Sequence, residues 1–299
     1  MILIRILSHN YYLLFSTCFD AMITKTKIFL LTAFLATTLV GLSMGGQFAL
    51  AGGEDDENEK DFKDTKVDKK SERDDFNKSI PLKEAKLIIE HNAKDEDTGF
   101  QGFIDSEGWN KMILTGPQGK VLDFKGKGML GELGLTELFF ETVEPANADV
   151  PISEILKTLP EGKYVYRGTA IESGEKMGTT KGTAWLTHTI PDGPSLLSPT
   201  EDATIPVEDL LVSWTPVDKT IDGDDVNIIA YQLIIEKDED PNPHMIGKMG
   251  LSMYLTSSVT QIMIPGEFFE PGTDYKWEVL AIEESGNQSL TSSQFNTED

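Results

Sequence analysis

The chain has 299 residues, 26 of them basic and 50 acidic, with a formal net charge of −24 at pH 7. This length suffices for two domains of ordinary size, whereas the acidic balance argues against a nucleic-acid binder that neutralises phosphates. The single cysteine excludes an internal disulfide framework, a cysteine-rich zinc module and an iron–sulfur cluster with cysteine ligands.

Residues 1–51 have the layout of a secretory signal peptide. Lys25 and Lys27 precede an apolar run over 28–42, and Ala49-Leu50-Ala51 supplies the small residues of a cleavage site. A membrane anchor is the alternative, but the run is shorter than the roughly 20 residues of a spanning helix. Met22 is the better start of such a signal, so residues 1–21 read as an over-extended start. The prediction is an exported protein, periplasmic, cell-surface or extracellular, without an integral membrane segment after cleavage.

Residues 52–79 predict an acidic, disordered linker. The segment opens with Glu54-Asp55-Asp56-Glu57 and continues with mixed lysines and acids, among which apolar residues are isolated. Such a composition cannot bury enough apolar surface to offset the entropy lost on ordering.

Residues 85–190 predict a β-rich, sandwich-like domain with one short helix. Apolar runs of strand length recur, and the turn signal at 116–119 predicts a hairpin. The apolar spacing over 152–159 predicts a helix with one buried face. The segments around Tyr164 and Trp185 are expected to pair across a glycine-rich loop at 173–182.

Residues 195–299 predict a second β-sandwich, so the fold class is mostly β with two sandwich domains in tandem. Apolar and polar residues alternate in four runs, as in antiparallel sheets with one wet face. The stretch resembles a fibronectin type III domain through Pro199, Trp214, Tyr231 and the run Phe269-Glu270-Pro271-Gly272-Thr273-Asp274-Tyr275, which is similar to the tyrosine corner of that family. The resemblance implies binding, spacing or adhesion rather than catalysis, and the chain has no Arg-Gly-Asp for integrin-type recognition.

Two acidic loops are candidate binding sites. Asn92, Asp95 and Asp97 follow a predicted strand, and Asp105 is near enough in sequence to complete a shell of oxygen ligands for calcium. The alternative interpretation of these residues is a solvated turn. The second loop carries Asp222, Asp224 and Asp225 at one end of the predicted sandwich, where such folds bind partners; here solubility is the alternative role. Trp109 follows Glu107-Gly108 near a predicted turn and is expected to be an exposed contact residue, whereas Trp214 and Trp277 are expected in the core.

No catalytic constellation is recognisable in the sequence. His91, His188 and His244 lie in separate segments without metal-ligand spacing, and there is no nucleophile elbow, P-loop or dinucleotide fingerprint. The leading hypothesis is an exported, non-catalytic binding or structural module without a cofactor, whose partner is an unknown protein or glycan and not nucleic acid. The alternatives are a calcium-dependent binding protein and a small enzyme acting on polysaccharide or peptide with an accessory module.

Overall fold

The computed structural model describes residues 79–299 and the backbone of one further strand, Leu3–Arg5 (β1). The predicted signal peptide and linker lie outside the described residues, apart from β1 and Ser79. The other strands are β2 (Ser79–Pro81), β3 (Glu84–Asn92), β4 (Asp97–Gly116), β5 (Gly119–Lys125), β6 (Leu135–Glu141), β7 (Gly162–Glu172), β8 (Glu175–Leu186), β9 (Leu196–Ser198), β10 (Ala203–Ile205), β11 (Leu210–Trp214), β12 (Ile228–Lys237), β13 (Gly250–Thr256), β14 (Gln261–Ile264), β15 (Asp274–Glu283) and β16 (Gln288–Thr297). The helices are α1 (Met129–Leu133), α2 (Ile152–Leu156) and a 3-10 turn, Gly266–Phe268. The described chain is therefore mostly β, as predicted.

The N-terminal region is organised around the 20-residue strand β4. Its first half pairs with β3 and β6, and its second half pairs with β7 and β5. β7 continues into the hairpin partner β8, and β2, which leads into β3, pairs in parallel with β8. The sheet thus curls until its two ends meet, and it encloses one apolar core. β1 pairs with the outer edge of β6.

The prediction of a glycine-rich loop at 173–182 is wrong, because most of that segment belongs to β8. The chain reverses at Ser173-Gly174, where both residues have positive φ angles. Gly182 instead serves close packing, since a Cβ there would lie 2.7 Å from Leu82 Cδ1 and from Ala85 Cβ. Gly182 therefore marks the close approach of Leu82 and of Ala85 on β3, and it is not part of a loop.

The predicted helix over 152–159 forms as α2, with Ile155 buried against the core. A second short helix, α1, was not predicted. It buries no residue, and Met129 and Leu133 are exposed, so it has none of the one-sided apolar spacing that identifies a helix in sequence.

The C-terminal region consists of two facing sheets. The smaller has the order β14-β11-β9, and the larger contains β13-β12-β15-β16, with β10 parallel to β16. The alternating apolar residues of β11, β12 and β15 face a common core, which confirms the predicted period of two. Trp214 and Trp277 are buried in this core, as expected, and the Trp214 ring meets Tyr231 edge-on with centroids 5.6 Å apart.

The predicted tyrosine corner is present. The buried Tyr275 ring stacks on Phe295 with centroids 5.4 Å apart, and its hydroxyl accepts a hydrogen bond from the Glu270 N–H at 2.9 Å. The ring therefore contributes to the core while the hydroxyl fixes the loop that precedes β15.

Replacing Tyr275 with phenylalanine is expected to lower the free energy of unfolding by about 1–2 kcal/mol, since the Glu270 N–H loses its acceptor while the ring remains. Tyr254→Phe is the matched control, because Tyr254 is 58% exposed on β13, and it should change stability by less than about 0.5 kcal/mol. Urea denaturation followed by tryptophan fluorescence measures both. Equal stability of the two variants would contradict the structural role of the corner.

The two regions share one continuous sheet. β16 pairs in parallel with β3 at the register Gln288↔Glu90 and Leu290↔Asn92. Beside this register Asn287 is 1% exposed; its side-chain oxygen accepts a hydrogen bond from the Ile89 N–H (2.9 Å), and its Nδ2 donates to the carbonyl oxygens of Thr187 (3.0 Å) and Thr189 (2.8 Å). Backbone pairing and a buried amide therefore join the regions.

Candidate functional site

A cluster of three carboxylates lies beside this junction. Glu90 on β3, Glu141 on β6 and Glu144 just beyond β6 each place a carboxylate oxygen within 4.8 Å of the others. β4 runs between β3 and β6 and sets the geometry, since Glu90 is opposite Gly99 and Glu141 is opposite Gln101. Residues 99 and 101 of β4 are on the same face, so their partners converge.

Gly99 makes room for the third carboxylate. A Cβ at this position would lie 2.6 Å from the Glu144 Cγ, closer than two carbon atoms can approach. The missing side chain lets Glu144 lie over the strand and reach the other two acids.

The environment favours the protonated form of Glu90 and Glu144. The pKa of Glu90 is raised to about 8, by burial first and then by the charges of Glu141 and Glu278, while the hydrogen bond from the Gln288 side chain lowers it. Burial and then the negative charges of Glu90, Glu141 and Asp97 raise the pKa of Glu144 to about 9. Asp97 nearby has its pKa raised to about 6, by burial and then by Asp95.

Such a cluster can hold protons at neutral pH or exchange them for a cation. Buried neighbouring carboxylates cannot all ionise without a compensating charge, and carboxylate oxygens are ligands that calcium and magnesium accept. Within the described chain, Glu144 Oε1 is buried without a hydrogen-bond donor.

The four residues of the predicted calcium site do not form one site. The Asn92 side chain closes the turn by donating to Asp95 (2.9 Å) and accepting from the Lys94 and Asp95 N–H groups. Asp97 and Asp105 are eight residues apart on the extended strand β4, which separates them by about 26 Å. Asp105 was expected to complete the oxygen shell because it is near in sequence, but the extended strand carries it away from Asn92, Asp95 and Asp97. Asp97 nevertheless lies close enough for its negative charge to raise the pKa of Glu144.

The second acidic loop is exposed. Asp225 forms an ion pair with Lys219, and the loop is closed by the Asp224 N–H donating to the Thr220 hydroxyl at 3.1 Å. Asp222 and Asp224 are also exposed. A binding role for Asp222, Asp224 and Asp225 stays a prediction.

The expectation that Trp109 is exposed is wrong, because it lies within β4 and is fully buried, with its ring edge-on to Phe124 at 5.9 Å. Gly108 marks a close approach rather than a turn, since a Cβ there would lie 2.5 Å from the Ile171 carbonyl oxygen. The exposed tryptophan is Trp185, at 65%.

The histidines remain apart. His91 Nδ1 lies 2.9 Å from the Thr98 hydroxyl, and burial lowers its pKa. His188 lines a shallow cleft with Ser153 and Lys157, and its Nε2 is 2.9 Å from the Leu159 carbonyl oxygen. His244 lies in the connection between β12 and β13.

Sequence reasoning missed the carboxylate cluster, although one signal was available. Glu90 directly follows the apolar run Leu87-Ile88-Ile89, and a charged residue in a buried strand requires compensation. The convergence with Glu141 and Glu144 depends on strand pairing and cannot be recognised from spacing.

The comparisons with known proteins concern the fold. No family model matches the chain, and no curated protein matches it. A two-domain fibronectin type III segment of chicken tenascin is 12% identical, covering 72% of this chain and 98% of the segment, with a TM-score of 0.25. The fn3 domain of human collagen alpha-1(XX) chain is 22% identical, covering 38% of this chain and 89% of the domain (TM-score 0.25), and chicken CNTN1 FN1-FN3 is 11% identical, covering 74% and 65% (TM-score 0.29).

The C-terminal fold is fibronectin type III-like. This fold is identified by its sheets of three and four strands, by the buried Trp214 and by the tyrosine corner. In the part of the chain that the structure describes, no helix has the length and apolarity to cross a membrane.

Proposed function

We propose that this chain is an exported, non-catalytic module that binds a protein or glycan, or spaces other components, through its loops and sheet edges. The observation that supports this most directly is the construction of the C-terminal region. Its two sheets enclose a core of aromatic and aliphatic side chains, so the loops and outer surfaces are what it offers to a partner.

The continuous sheet supports the same proposal. Pairing of β16 with β3 and the hydrogen bonds of Asn287 hold the two regions in a defined relation. A rigid scaffold positions its surface groups without an ordering cost on binding.

Binding to fractionated envelope proteins and glycans of the producing organism tests this function. We expect saturable binding that persists in the presence of chelator, and no product after incubation with glycan and peptide libraries. A matched variant carries Asp222→Asn, Asp224→Asn and Asp225→Asn, and weaker binding by this variant would locate the contact in that loop. Turnover proportional to protein concentration would contradict the non-catalytic role.

Calcium dependence is the second candidate function. The observation that favours it is the convergence of Glu90, Glu141 and Glu144. A divalent cation would take the place of the protons that burial otherwise keeps on Glu90 and Glu144. Thermal denaturation at pH 8 with calcium or with chelator is the test. An identical melting temperature in the two conditions would exclude it.

A further inference from the structure

The outer face of the curled N-terminal sheet is basic, in contrast to the rest of the chain. β5, β4, β7 and β8 are adjacent there, and residues facing the core alternate with residues facing outward, as in Tyr164 and Tyr166 against Lys163 and Arg167. We call this surface the basic face. Its cationic residues are Lys111, Lys120, Lys125, Lys163, Arg167 and Lys181.

Two pairs on the basic face place like charges directly opposite each other. Arg167 is the cross-strand partner of Lys181, and Lys111 is the partner of Lys125. Like charges in such positions destabilise a sheet. Asp123 offsets the charges of Lys111 and Lys125. Among the described residues no carboxylate forms an ion pair with Arg167 or Lys181, and an anion lying across β7 and β8 would compensate that pair.

One carboxylate lies within the basic face. Asp123 forms ion pairs with Lys120 (2.8 Å) and Lys111 (3.9 Å). The hydrogen bond from Lys120, and then the charges of Lys111 and Lys125, lower the pKa of Asp123. Among the described residues no acidic group lies within ion-pairing distance of Lys163, Arg167 or Lys181. Lys163, Arg167 and Lys181 are therefore available to a ligand, in a chain whose net charge is −24.

One exposed aromatic side chain lies beside the cationic residues. Trp185 is the cross-strand partner of Lys163 and projects outward. An exposed indole offers a flat apolar surface on which the apolar face of a sugar ring can pack. Single-stranded nucleic acid is generally held by several aromatic side chains that stack successive bases. Where β5, β4, β7 and β8 pair with one another, Trp185 is the one aromatic residue among the described outward-facing side chains.

We propose that the basic face binds an anionic polysaccharide that carries carboxylate or sulfate groups. The four strands span about 14 Å, enough for a chain of sugars to contact Arg167, Lys181 and Trp185 together. This inference rests on the proposed function and specifies its partner class.

Binding of the purified chain to polygalacturonate and dextran sulfate, with neutral dextran as reference, tests the inference. We expect salt-sensitive binding to the two anionic polymers, about ten-fold weaker in the double variant Arg167→Glu, Lys181→Glu. The control variant Lys94→Glu, Lys157→Glu makes the same change in net charge outside the face and should retain most of the affinity. Trp185→Ala should weaken binding without altering the melting temperature.

Equal affinities of the double variant and the control variant, or no binding to either anionic polymer, would overturn the proposal. Tighter binding of single-stranded DNA than of polygalacturonate would also overturn it, in favour of nucleic acid. None of these results affects saturable binding of another partner in the envelope assay, so failure of this inference is distinguishable from failure of the proposed function.

Discussion

Replacing Asn287 with alanine is expected to lower the free energy of unfolding by about 4 kcal/mol. The variant leaves the Ile89 N–H without its acceptor and the Thr187 and Thr189 carbonyl oxygens without their donor. Each of these groups lies at the junction of the two regions, where a buried unsatisfied polar group costs about 1–3 kcal/mol.

The control is Asn242→Ala, the same chemical change in an exposed turn where the side chain accepts a hydrogen bond from the His244 N–H. It should cost less than about 1 kcal/mol, because water replaces the lost partner. Urea denaturation followed by tryptophan fluorescence and far-UV circular dichroism measures both variants. We also expect the two probes to separate for Asn287→Ala, because the regions then unfold less cooperatively. Equal stability of the variants would contradict the role of Asn287.

The C-terminal strands could be predicted because their information is local. Tyr231, Leu233 and Ile235 face the sandwich core from alternate positions of β12, and Tyr275, Trp277 and Val279 do so from β15. A core on one face of an antiparallel sheet takes every second residue of each strand separately, so no knowledge of the pairing is needed to recognise that face.

Trp109 shows where local reasoning stops. The register of β4 against β7 shifts between Trp109 and Lys111, so two residues of the same parity face opposite sides of the sheet. Such a bulge exchanges core and surface positions within one strand. The same shift turns Lys111 outward to the basic face, which was not predicted either.

The candidate site depends on longer-range pairing. Glu90 and Glu141 are separated by 51 positions and meet because β4 lies between their strands. The predicted calcium loop was local in sequence, and the acids that converge are not. Abundant carboxylates in an acidic chain also hide the few that are buried, since burial is a property of the fold.

Stability is expected to fall as the pH rises from about 5 to about 9, because of the carboxylate cluster. In the folded chain the pKa of Glu90 is about 8 and that of Glu144 about 9, against 4.5 for an ordinary glutamate. Below pH 4.5 both states carry these protons. Above it the unfolded state releases them first, so the folded state binds more protons and loses stability with each rise in pH until Glu144 ionises.

The double variant Glu90→Gln, Glu144→Gln should flatten this pH dependence, because an amide keeps the neutral shape without a titrating proton. Glu172→Gln with Glu239→Gln is the control, since both residues are exposed, and it should retain the wild-type slope. Urea denaturation at pH 5, 7 and 9 measures the effect. A wild-type slope in the double variant would show that the decline arises elsewhere. Calcium should raise the free energy of unfolding of the wild-type chain at pH 9 and leave that of the double variant unchanged. This result would show that a cation replaces the protons at these carboxylates.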